Sequence, residues 1–479
     1  MQVNAAIFRG YDLRGLVGED LSPELAEHLG KAFGTYLKRR SITEAVVGRD
    51  CRETSPEYSR ELAKGLAWAG IDVADIGMQL VGTFYWAQHH LQRQGGVYVS
   101  ASHNPAEFNG FKFANDYSET LVSDGMKEML RLVQEEDYDQ GETPGKIEAV
   151  DIRPAYFADI LERVQLKKQF KVVIDPSNTT AGAIAPGLLR QAGCEVVEHN
   201  TTVDPSFPLG VADPTETAVM RRLQKEVVEA GADVAFTFDA DGDRIGIVDE
   251  RGGIIWNDVL VAIFATGVLL DHPGDKIMYN TLCSKVVKET ILEHGGEPFM
   301  WRTGHSFLKK KNQEVKAAFI GELSGHFFFS RDFYNHDDGL YSMMRVLRHM
   351  ADTGKKLSEI VEELPHYISS PEIKLSCADD KKVALVEKLS PILRQDFPDA
   401  EVIDDEGRAG DGVRLELPDS MFVVRYSQNG PYLTIKFEAK TPEEYEKLRS
   451  YIAELLRRFP EVDWKSKIAT NVEALEQAT

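Results

Sequence analysis

One pattern occurs three times along the chain and most constrains how it can fold. A β-branched strand ends on Asp or Asn, and a polar loop, an amphipathic helix, a glycine and a second strand follow. The three copies occupy residues 45–77, 171–200 and 276–304. This order is typical of parallel α/β sheets, in which a helix connects parallel strands, and the glycine suits the left-handed end of that helix. We therefore expect three similar α/β domains in series, with mixed or parallel sheets.

The pattern changes after about residue 368. Three runs, GVRLEL, MFVVRYS and YLTIKFEA, alternate apolar and polar residues, and PDS and QNGP provide turns between them. TPEEYEKLRSYIAELLRRF predicts a helix that begins at a Thr cap, and the polar tail beyond about residue 462 is predicted to fray. These features predict a smaller α+β domain. The expected domains are 1–150, 151–253, 254–368 and 369–479.

Composition excludes several classes of partner. The 479 residues carry a net charge of −22 without a basic tract, which argues against nucleic-acid binding. The longest apolar run, 259–270, is too short to cross a bilayer and predicts a buried helix, and the N-terminus lacks an apolar signal segment. The four cysteines lie far apart, as expected for free thiols in a reducing compartment. We expect a soluble cytoplasmic protein without a membrane partner, and its oligomeric state stays open.

The stretch SASHNP (100–105) raises the question of a nucleophile. Ser102 follows the apolar run GGVYV, which predicts a buried strand, and Asn104-Pro105 ends that run in a sharp loop. Catalytic residues are often held on loops anchored to a sheet. From these residues alone, Ser102 is either a nucleophile or a turn residue that bonds nearby backbone.

A second motif, DADGDR (239–244), predicts a metal site. Asp239, Asp241 and Asp243 alternate between two strand-like runs, and such crowded carboxylates repel one another unless a cation is present. Oxygen ligands suit Mg²⁺. An EF-hand does not fit, because Arg244 stands where that loop requires glycine and strands replace the helices. An aspartyl-phosphate enzyme with Asp239 as nucleophile is an alternative.

Two further stretches suit a phosphorylated sugar. IGELSGHFFF (320–329) carries Glu322, Ser324 and His326, which could hold sugar hydroxyls. VRYSQNGP (424–431) places Arg425 and Ser427 beside a flexible turn, and a guanidinium fork matches the geometry of a phosphate. Together, these stretches add a sugar contact and a phosphate contact to the hydroxyl and the acidic cluster.

With these motifs in this order, the sequence resembles the α-D-phosphohexomutases over almost its whole length. FRGYDLRG (8–15) is similar to the family's N-terminal arginine motif, and SASHNP, DADGDR, GELSGH and RYSQNGP are similar to its phosphoserine, magnesium, sugar and phosphate loops. GELSGH most resembles the phosphomannomutase/phosphoglucomutase branch, since the glucosamine branch usually has Gln where Leu323 stands. The sequence departs from the family pattern at two sites. Gln428-Asn429 replaces the usual Asn-Thr, and Leu282 replaces a frequent lysine, so no role is carried over to Lys285.

The resemblance implies that phospho-Ser102 exchanges its phosphoryl group with mannose or glucose phosphates through a hexose 1,6-bisphosphate, which also acts as activator. It implies a Mg²⁺ ion held by Ser102 and the three aspartates, and a catalytic group of Ser102, His103, Lys112 and Arg14. The implied substrate contacts are Arg9, Tyr11, Arg244, His305, Glu322, Ser324, His326, Arg425, Ser427, Gln428 and Asn429. Lys112, His103 and His326 are alternative proton carriers. Phosphoglucosamine mutase, an aspartyl-phosphate phosphatase or phosphotransferase, and a sugar-phosphate binding protein are the alternative functions.

Overall fold

The computed structural model describes residues 1–428 and 430–476. The chain forms two compact units. The first unit contains residues 1–257, 312–314 and 324–361, and the second contains residues 258–311, 315–323 and 362 onward. Within the described residues, no helix is both long enough and apolar enough to cross a membrane.

The first sheet is mixed, and its central strands carry the first copy of the repeated pattern. Its elements are β1 (Leu13–Leu16), α1 (Pro23–Lys38), β2 (Glu44–Arg49), α2 (Ser55–Trp68), β3 (Asp72–Met78), α3 (Val81–His90), β4 (Gly95–Val99), β5 (Phe108–Asp116), β6 (Glu119–Thr120), α4 (Asp124–Glu135) and β7 (Ile147–Ala149). The strand order is β1-β5-β4-β2-β3-β7, with β6 beside β5. β2 lies parallel to β3 and β4, while β5 runs antiparallel to β4 and β1. The loops after β2 and β4 therefore emerge at the same edge of the sheet.

The second sheet is also mixed. Its segment contains α5 (Arg153–Arg163), β8 (Lys171–Ile174), α6 (Ala185–Gln191), β9 (Glu195–Glu198), α7 (Thr217–Ala230), β10 (Val234–Phe238), β11 (Ile245–Asp249) and β12 (Ile254–Ile255). The strand order is β12-β11-β10-β8-β9, with β8 parallel to β9 and β10. β10 and β11 pair as an antiparallel hairpin whose turn is DADGDR. All strand residues of this hairpin are buried, which fixes the position of the acidic turn.

The third copy of the pattern forms a sheet in which one strand pairs in parallel with both of its neighbours. The segment contains α8 (Asn257–Asp271), β13 (Lys276–Asn280), α9 (Lys285–Glu293), β14 (Glu297–Trp301), α10 (His305–Val315), β15 (Phe319–Gly321), β16 (Phe327–Phe328), α11 (Gly339–Thr353) and α12 (Leu357–Glu362). β13 pairs in parallel with both β14 and β15. In the three copies, Gly70, Gly193 and Gly295 follow the helix with φ between 72° and 90°, as predicted.

The C-terminal segment is an antiparallel sheet packed against two helices. It contains β17 (Ile368–Ser369), β18 (Ile373–Cys377), α13 (Asp379–Asp396), β19 (Glu401–Ile403), β20 (Gly412–Glu416), β21 (Ser420–Tyr426), β22 (Tyr432–Ala439), α14 (Pro442–Arg457) and β23 (Val462–Asp463). The strand order is β19-β20-β21-β22-β18-β23, with β17 beside β22. Thr441 caps α14 by accepting a hydrogen bond from the backbone N–H of Glu444. The prediction of a frayed tail is wrong up to residue 476, since β23 pairs with β18 and Leu475 is buried in the core of this segment.

These observations confirm the predicted fold class of three α/β domains followed by a smaller domain with an antiparallel sheet. The individual boundaries at 150, 253 and 368 stay predictions. The boundary at 253 precedes β12, which still pairs with β11 of the second sheet. The boundary at 368 falls within β17, which pairs with β22 of the last sheet.

Candidate active site

Ser102 lies in the loop between β4 and β5, three residues after β4 ends at the buried Val99. Its φ of 49° is in the left-handed region, which is uncommon for a residue with a side chain and is frequent at functional sites. Only 4% of Ser102 is exposed, and its Oγ lies 3.0 Å from Asp239 Oδ2, to which it donates. The same Oγ lies 3.2 Å from His103 Nδ1. The loop therefore holds the hydroxyl against a carboxylate and an imidazole.

The β10–β11 turn brings together the three predicted aspartates. Gly242 has a φ of 71°, which permits the tight turn, and one carboxylate oxygen from each of Asp239, Asp241 and Asp243 lies within 4.8 Å of the other two. All three side chains are buried. Ser100 donates its hydroxyl to Asp241 Oδ2, while no hydrogen-bond partner exists for the buried Asp241 Oδ1 among the described residues. A buried acceptor of this kind fits a cation ligand.

The electrostatics of the cluster follow from burial and like charge. Burial raises the pKa of Asp239 well above its usual value, and the neighbouring carboxylate of Asp243 raises it further. Lys112 lies within 2.8 Å of Asp241 Oδ2 and 2.9 Å of Asp243 Oδ2. Although burial alone would lower the pKa of Lys112, these two carboxylates hold it well above its usual value. Lys112 is therefore a fixed positive charge inside the cluster.

The cluster has a second fixed cation in Arg244. Its Nε donates to Asp239 Oδ2 at 3.1 Å and its Nη1 donates to Asp213 Oδ1 at 3.1 Å. The buried Nη2 has no hydrogen-bond partner among the described residues, so a donor is available for an anionic or hydroxylated ligand.

Burial lowers the pKa of His103 well below its usual value, and the Arg244 guanidinium lowers it further. The imidazole beside Ser102 is therefore neutral at neutral pH.

His326, from the sugar motif, also contacts this cluster. Its Nδ1 lies 2.7 Å from Asp337 Oδ2 and 3.8 Å from Asp243 Oδ1. Its backbone pairs with that of Arg244 in an isolated antiparallel β-bridge. Ser324, in the same turn, is half-buried. The turn is tight, because a Cβ on Gly325 would come within 2.9 Å of the Asn257 side chain.

The N-terminal motif approaches the serine loop through one residue. Arg14 Nη1 donates to the Ala101 carbonyl at 3.1 Å and to Asn104 Oδ1 at 2.9 Å, while Asp12 holds its Nε at 2.8 Å. Tyr11 is half-buried and lies close enough to Arg14 to affect the pKa of that guanidinium. Arg9 is half-buried, and its backbone N–H donates to the Asp12 carbonyl.

Glu322 and His305 lie in the second unit, at the carboxyl edge of its parallel strands. Glu322 Oε1 accepts from the Gly304 backbone N–H at 2.9 Å and from Asn280 Nδ2 at 3.3 Å. His305 is buried at the first position of α10, directly after Gly304. Glu322 is therefore fixed beside the loop that carries His305.

The phosphate motif is held by a carboxylate that the sequence did not indicate. Asp411 forms a two-pronged ion pair with Arg425, in which Nε donates to Oδ1 at 2.9 Å and Nη2 donates to Oδ2 at 2.5 Å. Gln428 Nε2 also donates to Asp411 Oδ2, at 3.0 Å. Ser427 is buried, and its carbonyl accepts from Lys382 Nζ at 2.5 Å. Asn429 lies outside the described residues. The Nε edge of Arg425 is thus used by Asp411, so the opposite edge is the one suited to a phosphate.

Within the first unit, the structure brings together Ser102, His103, Lys112, Arg14, Asp239, Asp241, Asp243, Arg244 and His326. Within the second unit, it brings together Glu322 with the His305 loop, and Arg425 with Gln428. Sequence reasoning missed the buried partners of these groups, which are Ser100, Asp213, Asp337, Asp411 and Arg52. Only strand register could have indicated Asp411, since it precedes Gly412 and Gly412 pairs with Arg425 across β20 and β21.

Comparisons with known proteins identify relatives over most of the chain. Models of phosphoglucomutase/phosphomannomutase α/β/α domains I, II and III match residues 5–140, 154–253 and 256–367. A phosphomannomutase/phosphoglucomutase from Pseudomonas aeruginosa is 36% identical over 453 residues, which cover 95% of this chain and 96% of the relative. A phosphoglucomutase from Neisseria gonorrhoeae is 32% identical over 460 residues, which cover 96% of this chain and 98% of the relative.

Structural comparison gives the same result. The crystal structure of a phosphoglucomutase/phosphomannomutase family protein from Burkholderia thailandensis has a TM-score of 0.88 and 33% identity, covering 95% of this chain and 98% of that one. Fold and relatives together define an enzyme of the mutase class, an intramolecular phosphotransferase. The chain belongs to the phosphoglucomutase/phosphomannomutase family, which confirms the resemblance drawn from its motifs.

Proposed function

We propose that this enzyme interconverts hexose 1-phosphates and hexose 6-phosphates, with mannose or glucose as the sugar, through phospho-Ser102 and a hexose 1,6-bisphosphate. The observation that carries the proposal is the position of Ser102 Oγ, 3.0 Å from Asp239 Oδ2 within a buried cluster of carboxylates and cations. Phosphoryl transfer depends mainly on positioning and on neutralisation of spread negative charge, and this cluster supplies both.

The metal in the proposal is Mg²⁺, held by Asp239, Asp241, Asp243 and an oxygen on Ser102. Oxygen-only donors, their mutual repulsion and the orphaned Asp241 Oδ1 support this choice. When bound, Mg²⁺ neutralises charge on the phosphoryl oxygens and orients the group for in-line transfer.

The protein groups act in two half-reactions. In the first, the bond between phosphorus and Ser102 Oγ breaks as a new bond forms between phosphorus and the oxygen of the free sugar hydroxyl. The proton of that hydroxyl passes to a protein base, and Ser102 Oγ leaves with a proton as a free hydroxyl. In the second, the bisphosphate has reoriented and its other phosphoryl group is transferred to Ser102 Oγ, which gives up its proton, while the vacated sugar oxygen takes up one. Arg244 and Arg14 supply positive charge beside the loop. His103, at 3.2 Å from Ser102 Oγ, is the proton carrier that geometry favours at the serine.

The aspartyl-phosphate alternative is less well supported by the contacts. Asp239 Oδ1 accepts from the backbone N–H of Arg244, and Oδ2 accepts from both Arg244 Nε and Ser102 Oγ. A carboxylate with both oxygens engaged in this way is a poor nucleophile, whereas Ser102 Oγ is the hydroxyl it orients.

One set of assays tests the proposal. The conversion rates of mannose 1-phosphate, glucose 1-phosphate and glucosamine 1-phosphate are measured side by side, and trapped radiolabelled phosphate is located by peptide mapping. Conversion of mannose or glucose phosphate with label on Ser102 is expected. Label on Asp239, or none with no turnover, would reject the mutase in favour of the phosphotransferase or the binding protein.

Arg425→Lys is expected to raise KM for the hexose phosphate about 10-fold, the equivalent of losing one charge-assisted hydrogen bond, with a smaller change in kcat. Lysine keeps a charge opposite the buried Asp411 but loses the planar fork. Arg425→Ala is a poorer test, because the uncompensated Asp411 would cost about 3–5 kcal/mol of stability. Steady-state kinetics with and without added hexose bisphosphate give both constants.

Arg408→Lys is the matched control for this prediction. Arg408 lies in the same segment, but its ion pairs with Asp405 and Glu401 are at the surface, and such pairs contribute little. Its KM should equal that of the wild type. An Arg425→Lys enzyme with the same KM and no new requirement for bisphosphate would place phosphate binding elsewhere.

A further inference from the structure

Arg52 is the most deeply buried arginine side chain near Ser102, with 1% exposed. All five of its N–H groups donate hydrogen bonds at 2.6–3.1 Å. Four of the five acceptors are backbone carbonyls, three in the serine loop and one at the first residue of β5, and the fifth is the buried carboxylate of Asp50. The acceptors are Ser102 O, Asn104 O, Pro105 O, Phe108 O and Asp50 Oδ2.

The sheet places Arg52 where it can make these contacts. β2 and β4 are parallel neighbours, and Arg49 pairs with Val99 at their ends. The chain after Arg49 therefore leaves the sheet beside the chain after Val99. Asp50 fixes the turn by accepting from the Arg52 backbone N–H at 3.0 Å and from Ser55 Oγ at 2.6 Å. Asp50 thus holds the Nε of the Arg52 guanidinium, and Nη1 and Nη2 donate to the backbone carbonyls around Ser102.

The loop needs such support, because its backbone at Ser102 is strained. A non-glycine residue in the left-handed region costs on the order of 1 kcal/mol and persists only when its surroundings hold it. Arg52 Nη2 fixes the Ser102 carbonyl at 2.6 Å, while the Ser102 N–H donates to Ser100 Oγ at 2.8 Å. With both of its flanking peptide planes held, the direction of the Ser102 side chain toward Asp239 is determined.

We propose that Arg52 is a positioning residue for phosphoryl transfer, which sets the orientation of Ser102 Oγ by binding the carbonyls on both sides of the Asn104-Pro105 turn. This inference rests on the proposed role of Ser102 as the phosphorylated group. Arg52 does not touch the reacting atoms. Lysine cannot replace it, because three donors on one nitrogen cannot reach acceptors spread from residue 102 to residue 108.

Arg52→Lys tests the proposal in the full-length enzyme. A displacement of about 1 Å in a reacting group can cost ~10²-fold in rate, so kcat is expected to fall by about that factor. KM should stay within about threefold of the wild type, because the charge is kept and no substrate group is removed. The rate at which labelled hexose 1,6-bisphosphate phosphorylates Ser102 should fall in parallel with kcat.

Arg345→Lys is the matched control, since it removes another buried guanidinium of the same unit, 5% exposed, that pairs with Asp332. It should lower the melting temperature without lowering kcat. If Arg52→Lys has wild-type kcat and labelling rate, or loses kcat only to the extent that Arg345→Lys does, the positioning role is rejected.

Chemical rescue provides a readout that general destabilisation would not move. In Arg52→Ala, millimolar guanidinium chloride should restore a measurable part of kcat, whereas equal concentrations of urea or sodium chloride should not. Equal responses to all three solutes would count against the proposal. Labelling of the wild type separates the two hypotheses: no phosphate on wild-type Ser102 overturns the proposed function, while phosphate on Ser102 with unimpaired Arg52 variants overturns only this inference.

Discussion

Ser102→Ala is expected to abolish mutase turnover, by on the order of 10⁴-fold or more, the scale seen when a covalent enzyme loses its nucleophile. The variant lacks the only atom at this position that can carry the phosphoryl group between the two half-reactions. The loss should fall almost entirely on kcat, because the substitution leaves the proposed substrate contacts Arg244 and Arg425 unchanged.

The fold should survive this change. Alanine occupies the same backbone conformation as serine, and the hydroxyl contributes hydrogen bonds to Asp239 and His103 worth about 1 kcal/mol each at most. Intact-mass analysis should detect a phosphate adduct on the wild type that is absent from the variant. Ser59→Ala is the matched control, since Ser59 on α2 is equally buried and its hydroxyl donates, among the residues that the structure describes, only to the Pro56 carbonyl of its own helix turn. A Ser102→Ala enzyme with substantial turnover would show that another group carries the phosphate.

The parts of the fold that could be predicted are those encoded by local periodicity. The three strand–helix–strand copies and the Thr441 cap follow from neighbouring residues, and all are present. The tail beyond residue 462 could not be predicted in this way. Its polar composition gives no sign that Thr470 bridges to Lys374 or that Leu475 enters the core, because both contacts depend on a sheet edge about a hundred residues earlier.

The candidate site divides along the same line. Ser102 and the three aspartates were predictable because each group sits within a few residues of a strand end, and clustered carboxylates imply a cation. Asp213 and Asp411 were not, since neither belongs to a recognised motif and each meets its arginine only after the strands have paired. Arg52 belongs to the second class, because four of its five acceptors are backbone carbonyls whose positions the sequence does not specify.

Asp241→Asn is expected to remove the response to Mg²⁺ while leaving the metal-free protein as stable as the wild type, or more so. The substitution keeps the shape of the side chain and deletes one of three mutually repelling charges, and Asp243 still pairs with Lys112. In the wild type, saturating Mg²⁺ should raise the melting temperature, since a ligand at 100 times its Kd adds about 2.7 kcal/mol of stability.

Two measurements check this expectation, with a matched variant beside them. Thermal melts are recorded with Mg²⁺ and with chelator, and turnover is assayed after the chelated enzyme is resupplied with Mg²⁺. Asp249→Asn is the control, because Asp249 is a buried aspartate at the other end of β11 whose carboxylate binds the backbone N–H groups of Arg251 and Gly253. It should retain both the thermal shift and the restored turnover. If Asp241→Asn also retains both, the acidic turn is structural, and the positive charge that phosphoryl transfer requires must come from the side chains of Lys112, Arg244 and Arg14.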